Sequence, residues 1–141
     1  MSHNNDLWTG SGSGSLKAKT PLRNLNEYIR FTFKQCDFGT KYCIKNLGKK
    51  ELGTFYKRLG HFEQMTFQQV NGIDPKKGFD LEDRDSPNDV SLRKKHGAYD
   101  KFLHFRVNGA GVVIRIFAGI KGPLVYILEV DREGKRNKSA H

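Results

Sequence analysis

Long apolar runs are missing from this chain, and acidic residues are scarce beside basic ones. No stretch approaches the ~20 consecutive apolar residues needed to span a bilayer. The opening residues lack the basic start, apolar run and small-residue site of a signal peptide. A cytoplasmic protein with no membrane partner is expected. Cysteine is limited to two residues, Cys36 and Cys43, bracketing six residues around a glycine. That spacing is not a zinc pattern, and two thiols alone do not complete a four-ligand site. They read as reduced structural thiols rather than as a metal or redox pair. A glycine-rich phosphate loop, a nucleophile elbow, an HExxH pair and paired cysteine ligands are all absent, which removes the common hydrolase and nucleotidyl-transfer signatures and implies no cofactor. No internal repeat is present, and no heptad pattern extends beyond one helix.

What remains is a basic chain long enough for one core. At 141 residues it accommodates one domain more comfortably than two. Its formal net charge is +10 and its pI near 9.7. Such an excess favours polyanions through counterion release, so nucleic acid or an acidic protein is the expected partner.

Residues 1–24 are poor in apolar groups and read as a flexible leader, since they bury too little surface to offset their ordering entropy. GSGSGS at Gly10 to Ser15 resembles an engineered linker, and Trp8 stands isolated. Residues 25–141 read as the folded domain. YIRFTFK alternates, with Ile29, Phe31 and Phe33 on one side and Tyr28, Arg30, Thr32 and Lys34 on the other, as a strand with one solvated face does. KYCIKNL is a weaker extended piece. In KKELGTFYKRLGHFEQM the residues Leu52, Phe55, Tyr56, Leu59 and Phe62 recur at three- and four-residue steps, predicting an amphipathic helix that ends near Gly60. Thr66 is placed to cap a short second helix, TFQQV, stopped by Asn71 and Gly72. Residues 71–99 show little periodicity and much charge; an irregular basic loop is expected there, with room for a short helix within Asp89 to Lys95.

The last third carries the clearest pattern. KFLHFRV sends Leu103, Phe105 and Val107 one way and Phe102, His104 and Arg106 the other. VVIRIFA separates Val112, Ile114, Ile116 and Ala118 from Val113, Arg115 and Phe117, and LVYILEV sets Tyr126 between Leu124 and Leu128. NGAG, between the first two of these, reads as a hairpin turn rather than a phosphate cradle. The expected fold is α+β, with an antiparallel sheet that ends in a three-strand C-terminal meander and packs against one or two helices.

His104 and Arg106 share a strand face. His104 suits proton transfer and Arg106 a phosphate clamp, or else they are a histidine beside an aromatic and an arginine lying over the sheet. Arg115 is the sole charge in its strand, so it should meet a bound anion or an acid such as Glu129 or Asp131. Tyr126 offers a stacking surface or a hydroxyl donor beside Arg115, or simply core packing. His96, in RKKHG, either swings toward a substrate or stays solvated. Arg93, Lys94, Lys95 and Lys101, with Lys135 and Arg136 in the tail, are the candidate RNA phosphate contacts.

A helix rich in Lys and Leu, a loop, and then HFRV, RIFA and YILEVDREGK resembles the RelE/ParE superfamily of toxin–antitoxin toxins. The matching residues are Phe105 and Arg106, Arg115 to Phe117, and Tyr126 to Leu128 with Asp131. They cover the last quarter of the chain, and the helix Lys49 to Gly60 matches more loosely. This resemblance implies a small α+β endoribonuclease that cuts messenger RNA, often on the ribosome, using Lys, Arg, Tyr or His rather than metal. On that model Arg106 and Arg115 stabilise charge, His104, His96 or Tyr126 handle protons, and an acidic antitoxin covers the basic sheet. The chain departs from the pattern in its longer YIRFTFK strand, in the enlarged Asn71 to Tyr99 stretch, and in Gly134, where relatives often place histidine. The alternatives are a non-catalytic nucleic-acid-binding module or a protein-interaction domain that offers its sheet edge.

Overall fold

Two-residue alternation in the last third produces the three long strands of the sheet, and the more weakly patterned segments arrange themselves around them. The computed structural model describes residues 25–108 and 113–132. In chain order these form β1 (Arg30–Thr32), a 3-10 turn (Ile44–Asn46), α1 (Lys49–Phe62), α2 (Phe67–Asn71), β2 (Asp80–Leu81), α3 (Pro87–His96), β3 (Lys101–Asn108), β4 (Val113–Lys121) and β5 (Leu124–Asp131). The leader, the NGAG turn beyond Asn108, and the tail with Lys135 and Arg136 lie outside the described residues.

The fold is α+β. Among the described residues the sheet has five strands in the order β1-β5-β4-β3-β2. β2–β3, β3–β4 and β4–β5 are antiparallel, whereas β1 runs parallel to β5, so the sheet is mixed and not antiparallel throughout. The reason is the connection. A parallel neighbour needs a long crossover, and here both strands' intervening chain, helices included, supplies it. The YIRFTFK strand is correspondingly short, because only Arg30, Phe31 and Thr32 find partners on β5, while Tyr28 makes an isolated bridge to Thr66.

The expected alternation holds at the level of packing. Leu103, Phe105, Val107, Ile114, Ile116 and Ala118 join Phe55, Leu59 and Phe62 of α1 in the main core. Phe62 and Phe105 meet edge to face at 5.2 Å, and Phe62 and Phe79 at 4.8 Å. Each such buried ring contributes about 1.5–3 kcal/mol. The opposite face carries a smaller cluster of Leu92, Phe102, Phe117 and Leu128. Leu92 comes from α3, so the molecule has three layers, with α1 and α2 on one side of the sheet and α3 on the other.

α1 runs through Gly60 to Phe62, because Leu59 and Phe62 on either side of the exposed glycine are buried in the core and hold the last turn. Tyr56 is exposed too. α2 begins as expected: Thr66 Oγ1 accepts from Gln69 N at 3.2 Å, and Gln69 Oε1 accepts from Thr66 N at 2.9 Å. KYCIKNL is not extended but contains the 3-10 turn. The stretch 71–99 is more ordered than its sequence predicts. It holds β2 and a ten-residue α3 that starts at the Ser86 cap with Pro87 in its first turn and ends at Gly97, whose φ of 91° favours glycine. Arg93, Lys94, Lys95 and His96 occupy the last turn, where the helix dipole favours positive charge.

β5 carries a bulge. Phe117 pairs with Glu129 but Ala118 pairs with Ile127, leaving Leu128 as the extra residue. Leu128 and Glu129 therefore both belong to the face under α3, and the Leu128 carbonyl accepts from Asp37 N at 2.8 Å.

Candidate functional site

Strand register lays the polar residues of the α3 face in rows. One row runs Asp80, His104, Phe117, Glu129, and the next runs Arg106, Arg115, Asp131. His104 Nδ1 lies 2.9 Å from Glu82 Oε2, and its Nε2 lies 3.4 Å from Asp80 Oδ2. Nε2 is buried without a hydrogen-bond partner among the described residues. The same Asp80 oxygen is 3.2 Å from Arg106 Nη2, and Arg106 Nη1 donates to the Pro75 carbonyl at 3.3 Å. His104 is thus held between two carboxylates, one of which it shares with an arginine.

His96 does not swing freely. It ends α3, and its Nε2 lies 2.6 Å from Oε2 of the fully buried Glu129. Lys95 Nζ reaches the same oxygen at 3.1 Å and Asp37 Oδ2 at 2.9 Å. Burial alone would raise the Asp37 pKa. Hydrogen bonds from the Thr40 hydroxyl, the Gly39 N–H, the Lys95 ammonium and the Thr40 N–H outweigh it and hold the carboxyl well below the usual range. Burial works against the Lys95 charge, yet its two carboxylate partners leave its pKa raised.

Tyr126 does not lie beside Arg115. The register sets it opposite Gly119, four residues along β4 and about 13 Å away. It packs at 5.4 Å on Tyr99, whose ring fills the space above Gly119. Arg115 is placed opposite Asp131, one of its two expected acidic neighbours. Lys101 is only 5 % exposed, so it is not a surface phosphate contact. Arg93 is paired with Asp85 and Asp89 at 2.9 and 2.8 Å, and Lys94 is exposed. Among the described residues the expected contacts therefore do not form one basic patch. Cys36 and Cys43 are free thiols, and burial pushes Cys36 up to about 11, as suits a structural cysteine.

Arg106 also faces a second environment. β2 pairs only with Leu103 and His104, so the outer edge of β3 is left without a strand partner from Arg106 onward. α1 covers this edge with a polar stripe. Arg58 Nε donates to the Arg106 carbonyl at 3.3 Å, and its Nη2 donates to the Lys77 carbonyl. The guanidinium sits 4.7 Å from the centre of the Phe62 ring. Burial pulls the Arg58 pKa down, and among the described residues no carboxylate lies within ion-pairing distance of it. Around it opens a cleft of about 510 Å³ lined by His61, Lys76, Lys77, Arg106 and Asn108 among others, with no acidic residue in the lining among the described residues.

This cleft was not read from the sequence. Thr54, Arg58 and His61 stand at i, i+4 and i+7, a second stripe beside the apolar one, and that spacing was the available signal. Lys76 and Lys77 carry none, because only the turn before β2 brings them to α1. Chemically the cleft offers two guanidinium groups held by backbone carbonyls, two lysine ammonium groups and one imidazole. Among the described residues no helix is long and apolar enough to cross a membrane, and no group of three or more His, Cys, Asp or Glu is arranged to hold a metal ion. Comparison with protein-family models, with curated proteins and with solved structures found no match to this chain.

Proposed function

We propose that the protein binds RNA by holding its phosphates in the basic cleft at the open edge of β3. The observation that carries this reading is the convergence of Arg58, Lys76, Lys77, Arg106 and His61 on one cleft that no acidic residue lines among the described residues. A phosphodiester answers the resulting need, since Arg58 has already lost part of its solvent and has no carboxylate among the described residues to replace it. The volume suits one or two nucleotides of a single strand better than the broad face of a duplex. Fluorescence anisotropy with a labelled single-stranded RNA tests it. Affinity should drop steeply as salt rises, and both Arg58→Ala and Lys76→Ala/Lys77→Ala should weaken binding. Affinity indifferent to these changes would sink the proposal.

His61 favours a second reading, metal-independent RNA cleavage. Transesterification needs a base for the 2′-hydroxyl, a proton for the leaving 5′-oxygen and cations for the charged transition state. His61 lines the same cleft as Arg58 and Arg106, whereas His104, His96 and Tyr126 are buried or engaged with other side chains. The resemblance to RelE/ParE toxins supports this reading through the strand residues that carry it. On that view β3, β4 and β5 are the C-terminal meander of a RelE-like domain, and an acidic antitoxin segment covers the cleft. Incubating chelator-treated protein with labelled RNA and with translating ribosomes separates the readings. Cleavage lost in His61→Ala while binding persists identifies the nuclease; intact RNA leaves a binding module.

A further inference from the structure

Building on the proposed RNA site, we infer that phosphate capture by Arg106 is coupled to proton uptake at His104 through Asp80. Asp80 Oδ2 is shared, lying 3.2 Å from Arg106 Nη2 and 3.4 Å from His104 Nε2. The other imidazole nitrogen is committed to Glu82 at 2.9 Å. Nε2 is a buried polar atom with no hydrogen-bond partner among the described residues, on a side chain that is 10 % exposed. One carboxylate thus stands between a cation that lines the cleft and an imidazole nitrogen that lacks a bond.

A phosphate entering the cleft competes with Asp80 for the Arg106 guanidinium. When the phosphate takes it, Asp80 keeps its negative charge and loses its cation, and a proton on His104 Nε2 restores the balance. The proton comes from solvent by way of Asp80, whose side chain is 35 % exposed. A new N–H bond forms at Nε2 as an O–H bond of a hydronium ion or buffer acid breaks, leaving water or the buffer base; nothing is oxidised or reduced. The surrounding charges agree in sign. Glu82 and Asp80 favour imidazolium from the β2 side, and Arg106 opposes it until phosphate neutralises it. From β4, Arg115 stands opposite Arg106, away from the His104 row. Glu129 of β5 lies beyond Phe117 and is engaged by His96 and Lys95 of α3. RNA binding therefore strengthens as pH falls, by at most about tenfold per pH unit for one linked proton.

The test uses a 2′-O-methyl oligouridine, which cannot be cut through its 2′-oxygen and whose bases do not titrate near neutrality. The protein is the full wild-type chain, whose histidine Cε1–H signals are read one by one, so that His61 of the cleft is followed separately from His104. NMR of the His104 Cε1–H across the acid-to-neutral range, with and without oligonucleotide, should show its titration midpoint moving to higher pH on binding. In Asp80→Asn that movement should vanish. Should Asp80→Asn not fold, His104→Gln serves instead, and its oligonucleotide affinity should depend on pH less steeply than that of the wild type. An oligonucleotide that binds while the His104 midpoint stays fixed overturns the coupling and leaves the RNA site standing. No binding at all overturns both.

Discussion

Arg58 donates its Nε–H to the main-chain oxygen of Arg106 at 3.3 Å, fixing a cation of α1 against the open edge of β3. The contact does two things. It satisfies a strand carbonyl that no neighbouring strand reaches, and it orients the guanidinium beside a second arginine. Arg58→Ala should lower RNA affinity and reduce the slope of log affinity against log salt by about 1. Arg58→Lys keeps the charge but not the planar two-carbonyl contact, so it should recover the salt slope more fully than the affinity. A titration at several salt concentrations checks both; an unchanged slope in Arg58→Ala would place the phosphates elsewhere.

Gly119 is kept small by Tyr99. A Cβ added at Gly119 would lie 2.6 Å from the Tyr99 ring. Gly119→Ala should therefore destabilise the protein by about 1–3 kcal/mol. Combined with Tyr99→Ala, the same substitution should cost much less than when made alone, because the obstructing ring is gone. Urea denaturation of the two single variants and the double variant measures the coupling, and simple additivity would count against the clash.

Leu92 anchors α3. Among the helix's described residues it is the one apolar side chain that is buried, and it reaches the cluster of Phe102, Phe117 and Leu128. Leu92→Ala should cost about 2–5 kcal/mol. Amide exchange should speed up along α3 more than along α1, whose attachment is through Phe55, Leu59 and Phe62. Uniform loss of protection would mean that α3 does not detach by itself.

Two carboxylates make the fold sensitive to acid. Asp37 is held below its ordinary range by the bonds described above, which outweigh its burial. Glu51 is lowered by hydrogen bonding from Arg132, at 2.9 Å to each oxygen, and from Gly48 N–H. A folded-state pKa below the unfolded value gives stability that is complete above the unfolded value, near 4. It is lost as pH falls through the folded one. The urea midpoint should thus hold steady from neutrality to about pH 5 and drop below about pH 4. Asp37→Asn and Glu51→Gln should lower the neutral midpoint and flatten that drop; an equally steep drop in the double variant would assign acid sensitivity to other groups.

The strands of the last third were legible because one residue in two faces each side, and the apolar members Leu103, Phe105, Ile114 and Ile116 mark the side under α1 without reference to anything distant. α1 and the Thr66 cap were legible for the same local reason. α3 was legible only as room for a short helix within Asp89 to Lys95, because a helix held by Leu92 alone leaves no apolar stripe to mark its full extent, Pro87 to His96. The parallel pairing of β1 also escaped, since Arg30, Phe31 and Thr32 look the same beside a parallel neighbour as beside an antiparallel one.

The functional residues divide along the same line. The sequence by itself determined the excess of positive charge, the alternation that gives β3, β4 and β5 their faces, and the shared face of His104 and Arg106, all of which depend on near neighbours in the chain. Only the tertiary structure decided which charges remain available. It paired Arg93 with Asp85 and Asp89, His96 with Glu129, and His104 with Glu82. It also brought Arg58, Lys77 and Arg106 to one cleft. An electrostatic partner is chosen by distance in space, and distance in space between residues this far apart in the chain is set by how the helices pack on the sheet.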